Sequence, residues 1–307
     1  MKENKLVTIS EFEILLSSIN CCYAEKVSKR LPKLTDFSNE IYDSNNDINI
    51  DNLLKDIELV TDIFFKSVCL RICAIYELKE SRDLNIDINF KKIWGLIFES
   101  ISILPSDATI SSIGSQGFLS IPLFKFNIDM EKFDFIRLHI WDDSLDDFIN
   151  TKTCEDFSIH THSFFAESWI ICGKIINNRY NVNVVEDQTS HSLFTIGYNK
   201  SLNEVNQHTS NANNTNNFVN VNQISNENYS QGSHYIVKAG DYHKSISEKK
   251  NSPSATFFSF NGSKGLVEQS FVVGPSNVTI SEINRKMHID PIHLLNKINS
   301  KILSDGK

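Results

Sequence analysis

The periodicity of this chain changes at Pro105, and that change sets what the chain can fold into. Before it, apolar residues recur at three- and four-residue steps, the spacing of one buried helix face. Phe12, Leu15, Leu16, Ile19, Cys22 and Tyr23 follow this rule behind Ser10, which can cap the start of a helix. After a polar break over residues 43–51, a second helix is expected from about residue 52 to 79 and a third from about 90 to 104.

Beyond Pro105 the apolar segments are short, β-branched and aromatic, with turn residues between them. The strands expected are 117–126, 135–141, 157–162, 167–176, 180–185, 193–198, 235–237, 245–247, 255–260 and 267–273. Many short strands at this spacing indicate a β-sandwich or barrel. Residues 281–303 are amphipathic and expected to be helical, with Pro291 kinking or dividing the helix. Residues 203–228 are rich in Asn, have little to bury, and are expected to form a mobile loop around one or two weak strands. The class is therefore α+β. A helical region spans 1–104, a β-barrel with an Asn-rich insertion near 203–228 spans 105–277, and a C-terminal helix and tail span 278–307.

Of the 307 residues, 40% are hydrophobic and 22% charged, the composition of a folded protein. Thirty basic and thirty-eight acidic side chains give a net charge of -8. That balance disfavours nonspecific binding to nucleic acid or to anionic membranes and leaves a small-molecule enzyme or a protein-binding module. Residues 1–10 are polar and charged, without the apolar core of a secretory signal. The most apolar stretch, 57–78, carries Glu58, Asp62, Lys66, Arg71 and Glu77, too many charges for a simple membrane span. The six cysteines form no CxxC pair and read as reduced thiols, so a cytoplasmic location is expected. Lys26, Lys29, Arg30 and Lys33 form a basic cluster that a solvated helix end explains.

The chemistry-bearing residues are His160, His162, Glu167 and His243. Side chains two apart on a strand share a face, so His160 and His162 can converge on one point. Residues 163–166 could turn the chain and let Glu167 face the same interior from the neighbouring strand. Gly240 precedes His243 by a turn, adding a third imidazole. Three imidazoles and a carboxylate suit a divalent transition metal. Arg137, His139 and Trp141 alternate on one expected strand, where they could line a pocket with Arg137 holding a substrate carboxylate. Trp169 shares the parity of Glu167 and is expected to face inward as well.

These residues resemble the two motifs of the cupin superfamily. The first motif, G-x5-HxH-x3-4-E-x6-G, is met by His160, His162, Glu167 and Gly173, with the last spacing one residue short and Cys154 in place of the opening glycine. The second, G-x5-PxG-x2-H-x3-N, is met by Gly232, Gly240 and His243, with Lys238 for the proline and Ser247 for the asparagine. The resemblance covers roughly residues 110–275 and implies a cupin β-barrel, the double-stranded β-helix or jelly roll. It also implies one divalent metal held by His160, His162, Glu167 and His243, with Fe(II) favoured and Mn, Ni, Cu or Zn also accommodated. An Fe(II)-dependent oxygenase or dioxygenase acting on a small organic molecule is the leading expectation. A non-redox isomerase, epimerase or hydrolase, or a ligand-sensing cupin without catalysis, fits the same residues. A thiol dioxygenase is a special case against which Glu167 counts, because such enzymes bind iron with three histidines alone. The expected partner is a small-molecule substrate, with no nucleic acid and no membrane, and the helical region could form a homodimer interface.

Overall fold

Thr8, two residues ahead of the expected cap, starts the first helix. Its side-chain oxygen accepts from Glu11 N, while the Glu11 carboxylate accepts from Thr8 N at 2.9 Å, a reciprocal capping box. A computed structural model describes residues 5–37, 41–42, 47–84, 86–114, 116–198, 209–248 and 252–305. The chain forms two compact units. One comprises Met1–Ile110 with Leu123–Phe126, and the other Ser111–Pro122 with Asn127–Lys307.

In the first unit, β1 (Leu6–Val7) pairs antiparallel with β2 (Ile48–Asn49), and α1 (Ile9–Asn20) buries Phe12, Leu15, Leu16 and Ile19 on one face. The single helix expected from residue 52 to 79 is two helices, α2 (Ile50–Asp56) and α3 (Ile63–Leu84), joined through a 3-10 turn. The break follows from capping. Asp62 accepts from the backbone of Phe64 and Phe65 and so begins a new helix, as Asn49 does for α2. α3 is buried around most of its circumference and packs against α1, α2 and α4 (Phe90–Ser102).

The second unit holds two antiparallel sheets. The strands are β3 (Ser112–Ile113), β4 (Leu119–Phe126, of which Leu123–Phe126 count with the first unit), β5 (Asp134–Trp141), β6 (Phe164–Cys172), β7 (Lys174–Val185), β8 (His191–Tyr198), β9 (Thr209–Ser230), β10 (His234–Val237), β11 (Tyr242–Ser247), β12 (Ser254–Leu266), β13 (Phe271–Pro275), β14 (Ile280–Asn284) and β15 (Lys286–Met287). One sheet has the order β10-β6-β12-β5-β4-β3-β15, the other β11-β7-β9-β8-β13, with β14 paired to the start of β9. Short α5 (Thr151–Asp156) precedes the histidine segment, and α6 (Ile292–Asp305) closes the chain.

Three expectations are corrected here. The Asn-rich stretch is a strand over residues 209–230, central in its sheet, not a mobile loop; residues 203–208 lie outside the described ones. It is tolerated there because Ala212 packs with Phe157, Phe194 and Val272 on one face, Val219 packs with Leu193 and Val273 on the other, and neighbouring segments satisfy the amides. Asn226 Nδ2 donates to Asn178 at 2.8 Å and Asn214 Nδ2 to Val278 O at 2.7 Å. The expected helix over 281–303 is helical only from Ile292, because Pro291 fits the first turn and Asp290 caps it; residues before it enter β14 and β15. The expected strand over 157–162 makes only isolated bridges, at His160.

The expected strand over 167–176 is interrupted by Gly173, with φ +76°, which turns β6 into β7. A Cβ there would lie 2.3 Å from Ser254 Oγ and 2.8 Å from Pro253 O. Gly173→Ala should therefore destabilise the second unit by more than about 1 kcal/mol, measured by denaturant unfolding followed by far-UV circular dichroism.

Candidate metal centre

The segment carrying His160 and His162 hydrogen-bonds to both edge strands of the six-stranded sheet. His160 N donates to His243 O at 3.0 Å and His243 N to His160 O at 2.9 Å, on the β11 side. Thr161 N donates to Phe271 O and Val273 N to Ile159 O, on the β13 side. Gly240, at φ +83°, donates its N–H to His162 O at 2.9 Å. These backbone bonds bring the two histidine-bearing segments side by side.

The three imidazoles converge. His160 Nε2 lies 3.0 Å from His162 Nε2, and His243 Nε2 lies 3.4 Å from His162 Nε2. Two nitrogens bound about 2.0–2.1 Å from one ion, at tetrahedral or octahedral angles, are themselves about 2.9–3.4 Å apart. The other ring nitrogens fix the tautomers. His160 Nδ1 faces the carbonyl of Ser158 at 2.9 Å, so it must donate. His243 Nδ1 faces Asn177 Oδ1 at 2.8 Å, and the Asn177 amide is oriented by donating from Nδ2 to Glu227 at 3.1 Å. Protons on both Nδ1 atoms leave both Nε2 lone pairs aimed at His162. With its own Nε2 unprotonated, His162 would join these two lone pairs on a common point, so the donor set fits one metal ion.

Burial lowers the pKa of all three rings. It pushes His162 and His243 well below the usual value of 6.5, helped by neighbouring imidazoles, and lowers His160 against the opposing Ser158 hydrogen bond. Neutral imidazole is the form that ligates.

Glu167 stands elsewhere, contrary to expectation. The group that could hold a metal among the described residues is His160, His162 and His243. A bend at Ser163 leads directly into β6, so the even-numbered face that carries the histidines continues through it. Phe164 lines the cavity, and Ala166 and Ile170 pack with Trp141, Tyr235 and Phe258. Glu167 pairs in register with Ile236, which is 39% exposed on the opposite face. Its carboxylate lies 3.7 Å from Lys264 Nζ and 3.9 Å from His234 Nε2. Trp169 shares that opposite face, where it is buried but does not line the cavity.

Arg137, His139 and Trp141 do share one face of β5, and all three line a cavity of about 210 Å³ that includes the three converging histidines. His139 is stacked between Phe118, 4.2 Å away, and Phe258, 4.9 Å away, and burial drives its pKa well below 6.5. Its Nε2 has no hydrogen-bond partner among the described residues.

Sequence reasoning missed Asn177, Glu227 and Arg285. The Glu227 carboxylate accepts from Asn177, from Arg179 at 2.8 Å and from Tyr229 at 3.0 Å, anchoring the amide behind His243. Arg285 lines the cavity from the link between β14 and β15. No spacing rule marks any of them.

No protein-family model matches the chain, and no curated protein matches it. Among solved structures, an Fe(II) form of HppE is similar at 13% identity and a TM-score of 0.27, over 69% of this chain and 97% of that one. Hydroxypropylphosphonic acid epoxidase from S. wedmorenis is similar at 12% identity and a TM-score of 0.26, over 69% and 96%. These likenesses are slight, and the reading of the site rests on its own residues. No helix among the described residues is long and apolar enough to cross a membrane.

Two outcomes follow. Asn177→Ala frees the His243 ring and removes its tautomer lock, so metal affinity should fall about 10–100-fold, measured by competition with a chelator. In the metal-free protein, the four buried imidazoles resist protonation while the unfolded chain titrates near 6.5. The unfolded state therefore binds more protons as pH falls below about 6.5, and stability present above that value is lost as it drops. Melting temperature should be flat above about pH 6.5 and decline below it, before carboxylates such as Asp142 and Glu227 titrate.

Proposed function

We propose that the chain is a metal-dependent enzyme of cupin type, with His160, His162 and His243 as the protein ligands and Fe(II) as the metal, acting as an oxygenase on a small organic molecule. The observation that carries this reading is the convergence of three Nε2 atoms, with two tautomers held by donors to Ser158 and Asn177. Three protein ligands leave coordination positions open, which is the mark of a catalytic rather than a structural site. Iron bound there would supply redox chemistry with O2 and the substrate.

The chain's own residues do the rest. His160 and His243 keep their Nδ1 protons on fixed acceptors, so their ring orientation is set before an ion arrives. Phe118, Trp141, Phe258 and Phe260 supply an apolar wall that positions an organic body and excludes water. Tyr235 OH and Ser245 Oγ, 2.9 Å apart, give the cavity a polar pair beside that wall.

The objection that Glu167 raised against a thiol dioxygenase loses its force, because its carboxylate faces Lys264 and His234. A second reading keeps the same ligands with Zn as a Lewis acid, because three imidazoles and an open position are also a catalytic zinc set. Elemental analysis of the protein as purified, with O2 uptake in the presence of organic substrates, separates the two. Iron with substrate-dependent O2 uptake supports the oxygenase, and zinc without it supports the non-redox enzyme.

Ligand identity has its own test. His162→Ala should lose nearly all bound metal, whereas Glu167→Gln should retain one ion per chain by elemental analysis. Metal loss in Glu167→Gln with full retention in His162→Ala would overturn the assignment.

A further inference from the structure

His139 is a buried polar side chain that the protein itself does not satisfy. It sits on β5, 5% exposed, on the face that lines the cavity beside the three histidines. Its ring is sandwiched 4.2 Å from the Phe118 ring and 4.9 Å from the Phe258 ring, inclined to them by 31° and 24°. Both faces of the imidazole are therefore covered, and its nitrogens lie on the edge that remains. Nε2 is buried without a hydrogen-bond partner among the described residues. On β12, Thr256 pairs in register with His139, so the two side chains share a face, and Thr256 Oγ1 is also buried and unpartnered among the described residues. Of this pair, His139 is the member that lines the cavity. A phenyl ring would stack between Phe118 and Phe258 without the cost of desolvating two nitrogens. What imidazole adds is a hydrogen-bonding edge whose partner the chain does not supply.

We propose that His139 is a specificity-determining residue of the cavity, and that it takes the hydroxyl group of a small neutral organic ligand, an alcohol or a phenol. Burial holds the ring neutral, the form that offers one N–H and one lone pair. A hydroxyl both donates and accepts, so it satisfies whichever nitrogen faces it. An ionic head group would gain no opposite charge from a neutral ring. The body of the ligand lies against Trp141, Phe258 and Phe260. The cavity of about 210 Å³ is below the ~300 Å³ of ordinary drug-sized sites, which limits the ligand to a small one. That this ligand is the substrate rests on the proposed metal-dependent function; its binding does not.

Calorimetry on metal-stripped wild-type and His139→Phe proteins tests the assignment with benzyl alcohol and with toluene, which has the same ring and no hydroxyl. Melting temperature and metal uptake on reloading serve as controls for folding and for an intact centre. Wild type is expected to bind benzyl alcohol at least about tenfold tighter than toluene. His139→Phe keeps the stack, so it should lose that preference while toluene affinity stays within about twofold. Its melting temperature should hold or rise, because an unsatisfied polar group has been removed. A measurement on wild type alone decides the case where the variant does not fold: the 15N resonances of the His139 ring should shift with benzyl alcohol and stay fixed with toluene. Toluene binding as tightly as benzyl alcohol, no binding of either probe, an undiminished preference in His139→Phe, or unmoved ring resonances would overturn the assignment. Failure of the metal reading looks different: no form takes up metal, while the His139-dependent preference persists.

Discussion

The reciprocal backbone pair between His160 and His243 is the contact on which the rest of the site depends. Each of its hydrogen bonds is worth only about 0.5–1.5 kcal/mol net. Their effect is geometric rather than energetic. They fix the relative register of two chain segments far apart in sequence, so that side chains on them face one another. Gly240 extends the register by one more bond, to His162 O, and does so from a left-handed conformation that a side chain would strain. The loss of loop entropy is met by the fold.

Behind this pair lies a second layer that ties composition to chemistry. His243 is oriented by Asn177, Asn177 by Glu227, and Glu227 by Arg179 and Tyr229. Glu227 and Tyr229 belong to β9, the Asn-rich strand whose sequence promised only a loop. Its pairing with β7 places Glu227 opposite Asn177, so the register of two polar strands decides which way one imidazole points. A charged chain of this kind is stable where it is only partly buried, because Arg179 and Glu227 balance each other and each remaining acceptor has a donor.

The sequence carried the helices through their apolar spacing, and most strands through their β-branched and aromatic runs. It misplaced boundaries wherever one side chain decided them, as with Thr8 and Asp62. The convergence of His160, His162 and His243 was legible because two lie two residues apart and the third follows a turn glycine. Glu167 was misread for a reason of parity. It lies an odd number of residues beyond His162, and only a turn between them could have restored it to the same face. The chain bends once at Ser163 and runs straight on, so the alternation of the strand carries Phe164, Ala166 and Ser168 inward and Glu167 outward. Arg285 was illegible because its segment has helical periodicity, while the need of β9 and β3 for partners makes β14 and β15 strands.

That parity has an electrostatic consequence for the proposed centre. A carboxylate among the ligands would cancel half the charge of a divalent ion inside the protein. Three neutral imidazoles would leave that charge uncancelled by the ligand set, against the aromatic wall of the cavity, where holding it without a further anionic ligand would be costly. By running β6 on without a turn, the chain instead keeps the Glu167 carboxylate on the other face, beside Lys264 and His234.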